Sequence, residues 1–180
     1  MHQQTRDLVE DTIIRGCLNN DRKEQEQLYR MFANEMYNVC LIYENDRELV
    51  KDILQDAFVK VFKNIEQFNR NGSLRGWIRR VVVNTALDHL RSKKNFGTVV
   101  DFETLAENQM HSNETGSNYR TKDIIAEVNR LPEGARLVFN LFALEGYSHK
   151  EIALKLEISE GTSKSQYSRA RQLLQQRVEL

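Results

Sequence analysis

Proline occurs once in this chain of 180 residues, at Pro132, and cysteine twice, at Cys17 and Cys40. With so little proline and only short β-branched runs, nothing interrupts helical periodicity, and the fold class expected is all-α. Each cysteine stands alone, without a CxxC spacing or a Cys/His cluster, and the four histidines (His2, His89, His111, His149) are scattered. That pattern argues against a disulfide framework and against a metal site, and no cofactor is expected. No apolar run reaches the roughly 18 residues that a membrane span requires. No signal-peptide pattern opens the sequence either, so a cytoplasmic protein is expected. Net charge is also missing, because 26 basic residues balance 26 acidic ones. A polycation that coats nucleic acid indiscriminately is thereby excluded.

The charges are nevertheless segregated. Residues 70–94 carry Arg70, Arg75, Arg79, Arg80, Arg91, Lys93 and Lys94 against Asp88 alone. Residues 161–180 carry Lys164, Arg169, Arg171 and Arg177 against Glu179, whereas residues 101–114 hold four acids and no base. Two basic segments separated by an acidic one suggest two contacts with a phosphate backbone.

Residues 147–174, YSHKEIALKLEISEGTSKSQYSRARQLL, read as two short helices with a tight turn between them. Ser148 can cap the first, with Glu151 three residues on completing a capping box. Ile152, Ala153 and Leu156 supply a small apolar face. Ser159 can cap the second helix, whose Tyr167, Ala170 and Leu174 recur at i, i+3, i+7. Lys164, Ser165, Ser168, Arg169 and Arg171 fall on its flanks and far side. A polar, basic face backed by an apolar seam is what a recognition helix needs in a DNA major groove.

Upstream, residues 5–19 and 21–43 have the pattern of amphipathic helices. Asn45 and Asp46 can cap a third, to about Glu66, along a seam of Val50, Ile53, Ala57, Val61 and Ile65. The loop Asn69-Arg70-Asn71-Gly72-Ser73 leads into a fourth helix from Leu74 to about Ser92. Its inward stripe reads Trp77, Ile78, Val81, Val82, Thr85 and His89, with His89 expected in the core. Arg80, Asn84, Leu87 and Arg91 share another face, spread over about 16 Å of axis, where polar groups could meet phosphates or base edges together. The loop before it can hold an unstacked base. Residues 95–121 lose all periodicity and read as a flexible linker of about 25 residues. Helical pattern resumes at Lys122, and Pro132 sits near the start of a further helix. The expected layout is a four-helix domain over 1–94, a linker over 95–121 and a compact helical domain over 122–180.

The third helix also shows Asp52, Gln55 and Asp56 on the side away from its seam. Carboxylates at i, i+4 could bind a divalent metal or serve acid–base chemistry, but no third ligand is evident, and a face for a protein partner is the better reading.

Together these blocks resemble a known family. Asp52-Ile53-Leu54-Gln55-Asp56-Ala57-Phe58, Leu74-Arg75-Gly76-Trp77-Ile78-Arg79-Arg80, Asn84 and Leu87-Asp88-His89-Leu90-Arg91 are similar to region 2 of the extracytoplasmic-function (ECF) sigma factors of bacterial RNA polymerase. Leu131-Pro132, Glu145-Gly146-Tyr147-Ser148, Glu151-Ile152-Ala153, Gly161-Thr162-Ser163-Lys164-Ser165 and Arg169-Ala170-Arg171 are similar to their region 4. The resemblance implies a non-enzymatic promoter-specificity subunit. Asp52, Gln55 and Asp56 would dock on the β′ clamp helices of core polymerase, and region 4 would approach the β flap. Asn69, Arg70, Asn71, Gly72, Ser73, Leu74, Trp77, Arg80, Asn84 and Arg91 would open the −10 element and capture its bases. Thr162, Lys164, Ser165, Ser168, Arg169 and Arg171 would read the −35 element. Many members of the family are restrained by an anti-sigma factor. The chain departs from the common pattern at Ser163, where valine is usual and a looser seam is expected, and at Glu157, where glycine is usual. Leu74 also replaces a common aromatic. The alternative is a helix-turn-helix regulator that does not bind core polymerase.

Overall fold

A computed structural model describes residues 2–93 and 127–178, and every regular element among them is helical. The expected linker and the helical restart at Lys122 lie outside the described residues. The chain divides into two compact units, Met1–Lys93 and Lys94–Leu180.

The first unit contains α1 (His2–Leu18), α2 (Arg22–Tyr43), α3 (Arg47–Lys63), a 3-10 turn at Ile65–Gln67 and α4 (Leu74–Lys93). Short polar side chains start the helices where the sequence places them. Asp21 accepts the amide of Lys23 at 2.9 Å to begin α2, and Asp46 accepts that of Glu48 at 2.9 Å to begin α3. The α3 seam of Val50, Ile53, Ala57, Val61 and Ile65 is buried throughout. α1 lies against α2, α2 against α3, and α4 against both α2 and α3.

That double contact corrects the stripe expected on α4. A helix with two neighbours buries a wider arc than one seam, so Val83, Ala86, Leu87 and Leu90 join Ile78, Val82 and Thr85 inside. Leu87 is 2% exposed and leaves the outer face on which the spacing had put it. His89 moves the other way. Its imidazole is half-exposed, with Nε2 2.9 Å from Oδ2 of Asp56 on α3. It is a rim residue, not a core one.

Cys17 and Cys40 are buried free thiols. Burial is the main force pushing them up, to about 11 and about 12 respectively, so both stay protonated at neutral pH.

In the second unit, residues 127–129 are helical, and Pro132 stands at the N-cap position of α5 (Glu133–Phe139). The helix then widens into a π turn at Asn140–Leu144, closed by the Glu145 amide donating to Asn140 O at 3.1 Å. α6 (His149–Leu156) and α7 (Glu160–Val178) follow. Val128, Leu131, Ala135 and Ala170 form a core, with Phe139, Leu173 and Leu174 packed on it.

The α1–α2 crossing depends on the missing side chain of Gly16. A Cβ there would lie 2.2 Å from Cγ and 2.5 Å from Cβ of Glu24, too close for either helix to stay in place. Gly16→Ala is expected to destabilise the first unit by about 1–3 kcal/mol, outweighing the roughly 1 kcal/mol of helix propensity that alanine adds. Urea denaturation followed by circular dichroism measures it, and unchanged or higher stability would contradict this close packing.

Candidate nucleic-acid interface

Three surfaces carry the residues singled out by sequence. The first is the outer face of α3, where Asp52, Gln55 and Asp56 are all exposed. Val59 continues the same face and is 48% exposed. Its i+4 spacing from Gln55 was the available signal, and sequence reasoning passed over it because an isolated valine blends into the seam. Asp56 also faces His89, and Lys60 pairs with Asp88 of α4 at 3.0 Å, so polar contacts line the α3–α4 edge. Part of the neighbouring charge is plain helix pairing: Lys51 meets Glu48 at 2.7 Å, which raises the lysine pKa. Among the described residues no group of three His, Cys, Asp or Glu side chains is placed to hold a metal ion.

The second surface is the loop before α4 together with the helix itself. Asn69, Arg70, Asn71, Gly72 and Ser73 are exposed. The Asn69 side chain accepts the Asn71 amide at 3.1 Å, and Arg70 and Gly72 take positive φ of 61° and 135°. Ser73 caps α4, its Oγ accepting the Gly76 amide at 3.0 Å. Arg70 Nη1 lies 3.0 Å from Asp11 of α1, and Arg75 Nε lies 2.7 Å from Glu35 of α2. Trp77 is half-buried, its ring 5.8 Å from that of Phe68.

The fold does not deliver the whole expected set to one face. Leu74 is 1% exposed, because it closes the core beneath the start of α4, and its side chain is not available to a base. Arg80 and Asn84 stand exposed one turn apart, but Arg91 is bound to Asp88. The polar stripe therefore reduces to Arg80 and Asn84 beside the loop, with Arg91 held at its far end.

The third surface is the helix-turn-helix. Ser148 Oγ accepts the Glu151 amide at 3.3 Å, while Glu151 Oε2 accepts the Ser148 amide at 2.8 Å. This is the capping box that the spacing implied. Ile152 and Leu156 are buried, and Ser159 Oγ accepts the Thr162 amide at 2.9 Å to begin α7. Ser163, Gln166 and Ala170 turn inward. Opposite them, Lys164, Ser168 and Arg171 form one exposed edge, Ser165 and Arg169 the next, and Thr162 is half-buried at the border. Lys164 is paired with Glu160 at 2.7 Å, and that lysine is the main cause holding the Glu160 carboxyl below its ordinary range. Ser163, where a looser seam is expected, is fully buried, and His149 Nδ1 stands 2.9 Å from its hydroxyl. Glu157 takes the left-handed conformation, φ 55° and ψ 41°, that glycine favours.

These features define a class, a two-unit helical protein whose C-terminal unit is a helix-turn-helix. Comparison with known proteins makes it particular. Residues 28–96 match the family model for sigma-70 region 2, and residues 121–174 match that for sigma-70 region 4. The RNA polymerase sigma factor SigZ of Bacillus subtilis is 30% identical over 154 residues, covering 86% of each chain. The ECF RNA polymerase sigma-E factor of Haemophilus influenzae is 24% identical over 188 residues, covering 96% of each. Among solved structures, the sigma factor RpoE in complex with the anti-sigma factor NepR from Bartonella quintana aligns with TM-score 0.52 and 21% identity, over 88% of this chain and 98% of that one. CnrH in complex with the cytosolic domain of CnrY aligns with TM-score 0.51 and 18% identity, over 95% and 97%. These two likenesses show the fold. The chain belongs to the ECF sigma factors of the sigma-70 family, the subunits that direct promoter-specific initiation by RNA polymerase. The alternative of a regulator that works without core polymerase is set aside.

The turn between α6 and α7 makes its own prediction. A side chain at a left-handed position costs about 1 kcal/mol that glycine avoids. Glu157→Gly is expected to raise the stability of the C-terminal unit by up to about 1 kcal/mol, read as an increase in melting temperature; a decrease would contradict the strain.

Proposed function

We propose that the two units divide the work of promoter recognition, with residues 1–94 acting on core polymerase and the −10 element, residues 122–180 on the −35 element, and residues 95–121 linking them. The observation that carries the reading is the exposed Asp52, Gln55, Asp56 and Val59 face on α3. A protein that only bound DNA would have no use for it beside a basic surface. Acidic and amide groups around one apolar side chain suit a polar protein surface such as the β′ clamp helices. The β flap is assigned as the contact of the C-terminal unit.

The loop of Asn69, Arg70, Asn71, Gly72 and Ser73, with Trp77, Arg80 and Asn84, is assigned to the −10 element, which Arg91 joins only by giving up Asp88. Positive φ at Arg70 and Gly72 bends the loop sharply, and the exposed Asn69 and Asn71 carry the amide groups that base edges require. Unpairing costs a few kcal/mol per base step. Binding to core polymerase and to the −35 duplex offsets that cost, and no covalent step is involved. In the C-terminal unit Lys164, Ser165, Ser168 and Arg169 are assigned to base edges, with Thr162 and Arg171 at the borders of the face. The protein works in the cytoplasm, where its polymerase is. Two solved neighbours were captured with a second protein, one of them named an anti-sigma factor. An anti-sigma factor is accordingly proposed as a partner of this chain.

Two measurements test these assignments. Gln55→Ala combined with Asp56→Ala is expected to weaken association with core polymerase at least tenfold, about 1.4 kcal/mol, while loss of the exposed Asp56–His89 contact costs no more than about 1 kcal/mol and leaves the chain folded; unaltered polymerase affinity would refute the docking face. Arg169→Ala is expected to cost about 1–3 kcal/mol in binding to the −35 duplex while core association stays intact. Equal losses on a scrambled −35 duplex would mean a phosphate contact instead of base readout.

A further inference from the structure

His149 and Ser163 have no part in the assignments above, yet they make a polar contact inside an aromatic cluster. His149 is the first residue of α6, and Ser163 lies in the first turn of α7. The imidazole stacks on Phe142 with centroids 4.5 Å apart and planes at 19°, and meets the Tyr167 ring edge-on at 5.7 Å. Phe142 and Tyr167 are themselves 4.5 Å apart. Nδ1 of His149 stands 2.9 Å from Oγ of Ser163, which is fully buried. The ring column fixes where the imidazole sits, and the hydrogen bond carries that position across to α7.

The location matters. In a helix-turn-helix the N-terminal residues of the second helix meet the base edges. Lys164 and Ser165 directly follow Ser163, so this contact anchors the end of α7 that carries the assigned base readers, and its loss frees that end to shift. An apolar side chain at position 163 would fill the seam by dispersion, which has little directional preference, whereas a hydrogen bond weakens steeply as its angle closes. We infer that His149 is a positioning residue for base readout: acting through Ser163, it sets the angle at which α7 is presented to the major groove. The inference rests on the reading of α7 as the −35 reader.

The test uses the full-length chain assembled with core polymerase and two probes, a duplex recovered by the wild-type assembly from a randomised pool and the unselected pool itself. The quantity read is the ratio of the two affinities. His149→Phe keeps the ring column but strands the Ser163 hydroxyl, and Ser163→Val strands the His149 nitrogen; the double variant removes both polar partners. Each single variant is expected to lower the ratio about tenfold, and the double variant to recover to within about threefold of wild type, because removing both partners of a part-buried hydrogen bond is milder than removing one. Thermal unfolding establishes that each variant is folded at the assay temperature. Single variants that lose melting temperature but keep the wild-type ratio overturn the inference, and so does a double variant whose losses simply add. An arm combining Lys164→Ala, Ser165→Ala and Arg169→Ala separates the two levels. If it leaves the ratio at the wild-type value, the reading of α7 fails and the inference falls with it; if it collapses the ratio while the single variants do not, the inference alone fails.

Discussion

α4 is wedged between α2 and α3, and the burial of Leu74, Ile78, Val82, Val83, Ala86, Leu87 and Leu90 along it holds the first unit together. Apart from Ala86, fully burying each of these side chains contributes about 1.5–3 kcal/mol before conformational entropy is charged against it. Because the helix is gripped from two sides, its one open face is narrow and its direction settled. Arg80 and Asn84 project from that face, and the loop of 69–73 is delivered at its N-terminal end by Leu74 below and the Ser73 cap above. The α3 face depends on the same wedge, since His89 and Asp88 reach from α4 to Asp56 and Lys60. The faces assigned to polymerase and to DNA are thus two sides of one packed pair of helices.

Electrostatics then adjusts what packing exposes. Several of the cations that make two segments basic are already engaged: Arg70 with Asp11, Arg75 with Glu35, Arg91 with Asp88 and Lys164 with Glu160. Exposed pairs of this kind add little to stability. Their larger effect is on unspecific attraction to phosphate, which grows with the number of cations that can release counterions from DNA. A chain with balanced charge and internally paired cations relies more on shape and base contacts than on bulk field. That suits a subunit that must find promoters among a great excess of other DNA.

What could be read in the sequence was what is local. The Ser148/Glu151 capping box, the Asp46 and Ser159 caps and the α3 seam all involve residues within a few positions of one another, and their chemistry is written in residue type and spacing. Contacts set by tertiary packing were illegible. Leu87 looked like an outer residue because the spacing could not reveal that α4 has two neighbours. His89 looked like a core residue because its partner, Asp56, is 33 positions away. The exposed set assigned to the −10 element shrank for the same reason, with Leu74 needed by the core and Arg91 drawn to Asp88. Ser163 read as a defect in the seam until its partner fourteen positions upstream was in view.

The π turn at Asn140–Leu144 has a consequence for how the second unit is aimed. Its wider repeat holds one more residue than an α turn, and each added residue rotates everything after it by about 100° around the helix axis. The arrangement leaves Asn140 fully enclosed beside the turn. Leu141 stays inside while the next residue, Phe142, comes round to stack on His149 and touch Tyr167 of α7. The turn behaves as a phase shifter. A single residue gained or lost there would leave every other helix intact and re-index the rings against which α7 is set.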